Sequence, residues 1–432
     1  MHLVLVGAGL AHLEVLRRFA LRGRLRGLAS PLLLTLVTPE MAVLPAGLLP
    51  AVLSGRLPRA AAELPLAPLL EQAGARWLRD RATGLDPARR LLLREAGPPL
   101  PYDLLSINTG ALPAPVPPGT LPLRPATPWL RRLDSMPEGR IAVIGAGLAG
   151  VELALALARR PQRRQPVLLL EAAPCLLPHL PHGFRTRAEA ALARAGVTWR
   201  CGFAVEALQQ GVLRGPAGAE PDIALAIACT GARPALDLAG SGVACDAAGF
   251  PLIDASLRSI SHPEIFASGD AAGHTLPRGG VWAGRAAPYL AANLRRALRG
   301  AALHQWPQAG PAPTRPAPAP LTLLGTGDGR AIALWRGHAL EGRWVWWWKS
   351  WRDRRFLRRY RRPRAWVPEE TVLAITAEPP SASAPPPHLR PEAPDSAPQK
   401  TAPPPPRTGP GRVAARDRDR PPGGPIPFLP KP

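Results

Sequence analysis

The residues best placed to do chemistry lie in two glycine-rich turns. The cleaner one is Gly145-Ala146-Gly147-Leu148-Ala149-Gly150, set between an apolar run at 141–144 and a helical pattern at 151–160. Gly145 suits a tight turn, Gly147 lets backbone approach a pyrophosphate, and Gly150 lets the helix pack on the strand. The helix start adds free N–H groups and a partial positive charge, which favour phosphate. Glu171 closes the next apolar run, 26 positions after Gly145. A carboxylate about 20 residues on is where a ribose 2′-hydroxyl is gripped, and it repels a 2′-phosphate. NADH is therefore favoured over NADPH, with Arg163 and Arg164 acting against that preference.

The other turn, Gly7-Ala8-Gly9-Leu10-Ala11-His12, has His12 in place of the third glycine. That side chain either swells the helix–strand contact or points toward a ligand. The following strand ends Val37-Thr38-Pro39-Glu40, so Thr38 or Glu40 must stand in for the ribose acid. Three further strand-end turns return backbone to the same places: Thr109-Gly110, Thr230-Gly231 and Ser268-Gly269-Asp270. In the last, Asp270 can accept a hydroxyl proton from a ribityl chain while backbone N–H meets a phosphate. A helix start near Trp282 and Gly284 can stabilise negative charge on a ligand. No side-chain acid or base is required for hydride transfer between two such cofactors, so no catalytic residue is nominated.

These residues need strands that end together and helices that begin there. Apolar runs at 3–6, 32–37, 89–94 and 104–107 supply one set, with Leu13, Leu16 and Phe19 on one helix face and Arg17 and Arg18 on the other. Runs at 141–144, 167–170 and 223–229 supply a second, and 265–267 a late strand before a helix at 283–298. Residues 39–75 suit loops and short helices, and the prolines of 111–128 mark a crossover between domains. A repeated strand–turn–helix–strand unit within one chain implies two nucleotide-binding lobes in an α/β fold.

The 432 residues, 46% of them hydrophobic, suffice for two or three cores. The formal charge of +23 arises with 51 arginines against three lysines, Lys349, Lys400 and Lys431. Alanine, proline and glycine are also abundant, so genome composition explains most of the excess and no nucleic-acid partner is expected. Cys175, Cys201, Cys229 and Cys245 have no metal-ligand spacing and suit reduced thiols in a cytoplasmic chain, with no metal site. No secretion leader or membrane-spanning apolar stretch is evident.

The order of these turns resembles the pyridine nucleotide-disulfide oxidoreductase superfamily. Gly145 through Glu152 and Thr230 through Pro234 match its NAD turn, Val-Glu helix and Thr-Gly-x-Arg-Pro segment. The most similar branch looks like the type II NADH dehydrogenase-like proteins associated with selenophosphate synthetase, on the segments at 11–19, 44–50, 323–328 and 351–356. The resemblance covers about 362 residues and implies two three-layer ββα Rossmann-like domains, the NAD domain inserted in the FAD domain. The boundaries that follow are 1–118 with 237–325 for FAD, 119–236 for NAD(P), an aromatic and basic segment at 326–364, and a proline-rich, disordered tail at 365–432. FAD is expected near Gly7, Gly9, His12, Thr38, Thr109, Gly110, Gly269, Asp270 and Trp282. NAD(P)H is expected near Gly145, Gly147, Gly150, Glu152, Glu171, Thr230 and Gly231.

Two departures bear on the electron acceptor. Residues 39–75 contain no cysteine, which excludes the family's disulfide chemistry, and 280–288 lack the glutamines that type II dehydrogenases place near quinone. The acceptor is thus an unidentified small molecule, a quinone among the candidates. A slow sensor flavoprotein and an accessory role in selenium metabolism are the rival readings. Oligomeric state is not legible.

In the C-terminal segment, Trp344, Trp347, Trp348 and Trp351 share a helical face, followed by clustered arginines. Tryptophan suits the membrane–water boundary and arginine attracts anionic lipid. The segment is expected either to contact the inner face of the plasma membrane peripherally or to dock on the FAD domain with its tryptophans in the core.

Overall fold

The computed structural model describes residues 1–21, 31–135, 139–161, 165–274, 276, 278–308 and 321–361. The expected tail at 365–432 and the pair Arg163 and Arg164 lie outside the described residues. In chain order the elements that matter are β1 (His2–Val6), α1 (Leu10–Leu21), β2 (Leu33–Val37), β3 (Arg76–Leu78), β4 (Leu104–Ile107), β5 (Leu121–Pro122), β6 (Arg140–Ile144) and α2 (Leu148–Ala158). They continue with β7 (Val167–Leu170), α3 (His182–Ala195), β8 (Thr198–Arg200), β9 (Ile223–Ala228), β10 (Ile265–Ala267), α4 (Gly280–Ala297), β11 (Thr322–Gly325), β12 (Ala331–Trp335), β13 (His338–Gly342) and α5 (Arg343–Arg361).

The first sheet runs β10-β4-β1-β2-β3 and is parallel throughout. Its strands are short and apolar on both faces, because helices cover one side and a three-stranded antiparallel layer (82–86, 91–94, 100–101) belongs to the same lobe. Register does the positioning. Val6 pairs with Val37 and Ile107, and Ile107 with Ala267, so Gly7, Thr38, Asn108 and Ser268 emerge at one edge.

The second sheet, β5-β9-β6-β7-β8, is also parallel, with its own antiparallel layer at 207–209, 212–215 and 218–220. Ile144 pairs with Leu170 and Ala228, and Leu170 with Arg200, which brings Gly145, Glu171, Cys201 and Cys229 to a common edge. All of its strands fall between β4 and β10 of the first sheet. A two-stranded antiparallel link, Ala111–Leu112 against Arg233–Pro234, carries the chain into this sheet and back.

The C-terminal part binds to both lobes. The antiparallel sheet β11-β12-β13 packs on α2 and α3, and Arg194 of α3 is ion-paired with Glu341. Helix α5 docks through Val345, Leu357 and Tyr360. Its anchor is Glu14 of α1, only 1% exposed, which accepts from Arg17 (2.8 and 2.9 Å), Arg18 (2.7 Å), Arg359 (2.7 Å) and the Tyr360 hydroxyl (3.2 Å). Burial alone would raise the Glu14 carboxyl. The hydrogen bond from Arg17 and the charges of Arg359, Arg17 and Arg18 prevail and hold it down to about 2. Arg18 was expected on the solvent face of α1. It is buried instead, because Glu14 needs its guanidinium.

The helix docks, yet three tryptophans of α5 stay out of the core, while Trp346 packs against Ala331, Ala333 and Val345. Trp344, Trp347 and Trp351 are 55%, 62% and 54% exposed at a spacing that puts them on one stripe. Trp348, at the margin of the same side, is half-buried. The helix is docked by one face and presents tryptophan on the other.

Candidate functional site

The second glycine turn is built as an open cradle. Gly145 (φ +98°) lies against the Cys229 carbonyl, where a Cβ would come within 2.7 Å, and a Cβ on Gly150 would fall 1.8 Å from the Gly145 carbonyl. Those two glycines are demanded by packing. Gly147 is different: its φ of −66° suits any residue, and nothing lies within 4 Å of where its Cβ would stand. It caps α2 beside space that a ligand backbone-contact would use. Glu171 stands at the turn, accepting from the amides of Ala146 (2.5 Å) and Ala173 (2.9 Å). Thr230 donates to the Pro115 carbonyl at 2.5 Å, and a Cβ on Gly231 would meet Ala114 O at 2.7 Å, so this pair fastens the inter-lobe link.

The first turn is closed by protein groups. Gly7 (φ +86°) is pressed on Thr109, and Gly9 donates to the Asn108 carbonyl at 3.1 Å. His12 is wholly buried, with Nδ1 2.6 Å from the Gly7 carbonyl and Nε2 2.8 Å from Ser106 Oγ. Burial pushes the imidazole down to about 4, so it is neutral and bridges turn and strand. This corrects its expected place among the cofactor contacts, since both ring nitrogens are already used. Thr38 is corrected too: its hydroxyl donates to Glu40 at 2.6 Å, which leaves the exposed Glu40 carboxylate as the polar group at that strand end.

At the late turn, Gly269 (φ +63°) is buried, and Asp270 Oδ1 accepts from the Gly279 amide at 2.6 Å. Its other oxygen lies 3.6 Å from Arg124, whose guanidinium also stands 3.6 Å from where a Cβ on Gly110 would be. Arg124 follows β5 and so reaches from the second lobe to the first lobe's turns. Trp282 is 3% exposed and packs in the core, so only backbone at that helix start remains for a ligand.

Glu152 is likewise corrected. Its carboxylate is spent on the Gly325 amide (2.9 Å) and on Lys349 (3.8 Å), and it lines a cleft with Ser54, Trp346, Lys349, Ser350 and Asp353, not the glycine turn. Burial raises the Glu152 carboxyl, against the pull of Lys349 and the Gly325 amide. Lys349 is held in its charged form by Glu152 and Asp353 despite burial. Burial pushes the Cys229 thiol up to about 12, so it is inert. Among the described residues no metal-binding group of three ligands occurs.

Sequence reasoning missed Asn108, Arg124 and Lys349. Asn108 ended an apolar run bound for the nucleotide edge, and Lys349 is one of three lysines in an arginine-rich chain; each was a usable signal. Arg124 had none.

Two parallel sheets, each ending in a glycine turn and joined so that a side chain of one lobe reaches the other's turns, define a two-dinucleotide oxidoreductase. The chain belongs to the pyridine nucleotide-disulphide oxidoreductase family, which matches residues 1–287. The nitric oxide reductase FlRd-NAD(+) reductase of Aeromonas hydrophila is 32% identical over 226 residues, 48% of this chain and 53% of that protein. The chain thus spans about half the length of that curated relative. By fold it is similar to the sulfide:quinone oxidoreductase of Aquifex aeolicus (TM-score 0.64, 18% identity, covering 87% of this chain and 95% of that one). A NAD-dependent persulfide reductase from A. fulgidus gives a TM-score of 0.63 at 21% identity, covering 77% and 63%. The cofactors of the family are FAD and NAD(P)H, and the open cradle at Gly147 and the Gly-Asp turn fit them.

Proposed function

We propose that this chain is a FAD-dependent NADH oxidoreductase that passes electrons to a small acceptor, a quinone among the candidates. The observation that supports the reading is Arg124, which extends from the second lobe to stand beside Asp270 and Gly110 of the first. The flavin, when bound, supplies the hydride-accepting chemistry. The chain's own residues do the rest. The Gly145–Gly150 backbone and the α2 N-terminus hold the pyrophosphate of NADH, and Glu171 accepts from its ribose. The α4 N-terminus and Arg124 would offer positive charge to a flavin bound at the Gly-Asp turn. Glu152, paired with Lys349 and the Gly325 amide, fixes α2 to the cleft that α5 forms with the helix at 49–53. The purified chain should be yellow, and anaerobic NADH should bleach it. A flavin that stays oxidised under excess NADH and NADPH would falsify the activity.

The second part of the proposal concerns where the chain works. No helix among the described residues is long and apolar enough to cross a membrane. The outer stripe of α5 carries Trp344, Trp347 and Trp351 and then the exposed Arg354, Arg355 and Arg358. Aromatic rings at the headgroup level and guanidinium groups worth about 1 kcal/mol each near an anionic surface suit peripheral contact. Sedimentation with phosphatidylserine vesicles should capture the chain, and Trp347→Ser with Trp351→Ser should release about nine-tenths of it. Equal binding by the double variant would remove this stripe from the account.

A further inference from the structure

We infer that Asn108 is the positioning residue of the FAD site, a neutral cap on α1 whose amide a carboxylate cannot replace. Asn108 is 3% exposed at the end of β4. Its carbonyl accepts from Gly9 at 3.1 Å, and its Oδ1 accepts from the amides of Ala11 (3.1 Å) and His12 (3.4 Å). Its Nδ2 donates to the Ser268 carbonyl at 2.7 Å and to Ser268 Oγ at 3.2 Å. Two glycines are moulded to this side chain: a Cβ on Gly9 would stand 2.2 Å from Oδ1, and one on Gly269 3.0 Å from Nδ2. One amide thus joins the glycine turn to the Gly-Asp turn.

The consequence concerns the start of α1, where free N–H groups ordinarily face phosphate. The amides of Ala11 and His12 are committed to Asn108. Among the described residues, Leu10 keeps the one amide of the first three with no internal acceptor. An anion there shares the positive helix end with Asn108 Oδ1. A neutral oxygen tolerates that sharing; a negative one repels the diphosphate. Only an amide also accepts at one end and donates at the other. An aspartate would set a carboxylate oxygen against the Ser268 carbonyl.

The test uses the full chain, stripped of flavin, with FAD affinity read by fluorescence and the melting temperature of the flavin-free protein beside it. Asn108→Asp should bind FAD about 100-fold more weakly at neutral pH. The deficit should shrink as pH falls and the new carboxylate protonates, while the wild-type affinity stays flat. The melting temperature should fall by only a few degrees, because the charge at the helix N-terminus offsets part of the cost of facing the Ser268 carbonyl. Asn108→Ser adds no charge and loses the link to Ser268, so it should be about 10-fold weaker at every pH. Wild-type affinity in Asn108→Asp overturns the inference. So does a pH-independent loss that tracks a lower melting temperature. If the aspartate variant does not fold, wild-type affinity in Asn108→Ser overturns it. Absence of FAD binding by the wild-type chain would instead sink the reading of the site itself.

Discussion

Gly147→Ala is expected to leave the chain folded and yellow while lowering its kcat/KM for NADH by about 100-fold. The expectation rests on a contrast within one turn. A methyl group on Gly150 would be driven into the Gly145 carbonyl, 1.8 Å away, so that substitution reports on packing alone. A methyl group on Gly147 meets no protein atom within 4 Å, and its backbone angles need no glycine. The only structural cost is a poorer helix cap, roughly 1 kcal/mol at most. No protein atom explains glycine at this position, and under the proposed function a pyrophosphate on the α2 N-terminus does. Circular dichroism melting, flavin content and an anaerobic NADH titration separate the effects. A variant with unchanged melting and unchanged NADH dependence would mean that the open space serves no ligand.

The same contrast explains what was legible in the sequence. Strands and turns of both lobes could be read because their pattern is local: short apolar runs, glycines at fixed offsets, a helix directly after. The nucleotide edge could be read because register in a parallel sheet brings successive strand ends level. The side chains that finish the site could not. His12 looked like a candidate ligand contact, yet its partners Gly7 and Ser106 come from a turn and from a strand far along the chain. Glu152 looked like a nucleotide contact until Lys349, from an element nearly 200 positions later, claimed it. Thr38 and Asp270 likewise have protein partners, in Glu40 and Gly279. Buried polar groups must find hydrogen bonds, and which neighbour supplies them is a tertiary fact. The α5 stripe shows the converse. Helical spacing alone put Trp344, Trp347, Trp348 and Trp351 on one face; three of them are exposed, and only the docking leaves Trp348 half-buried.

Glu171 carries the second large effect, a change of nucleotide. Its carboxylate sits on the amides of Ala146 and Ala173, and under the proposed function it accepts a ribose hydroxyl and repels a 2′-phosphate. Glu171→Ala removes the acceptor and the negative charge together, and it frees both amides. Arg200 at that edge does not help, since it is engaged with Glu220 at 3.2 Å and with the Ala217 carbonyl at 2.6 Å. The single variant should therefore lose NADH activity without gaining much with NADPH. Ala172 is exposed, so an arginine there needs no core space and supplies the missing charge. Glu171→Ala combined with Ala172→Arg should shift the ratio of kcat/KM for NADPH over NADH by about 1,000-fold, the product of a repulsion removed and an attraction added in a half-screened site. Flavin reduction followed at matched concentrations of the two nucleotides measures it. If the double variant keeps the wild-type ratio, the carboxylate does not face the ribose, and the preference for NADH must come from another part of the second lobe.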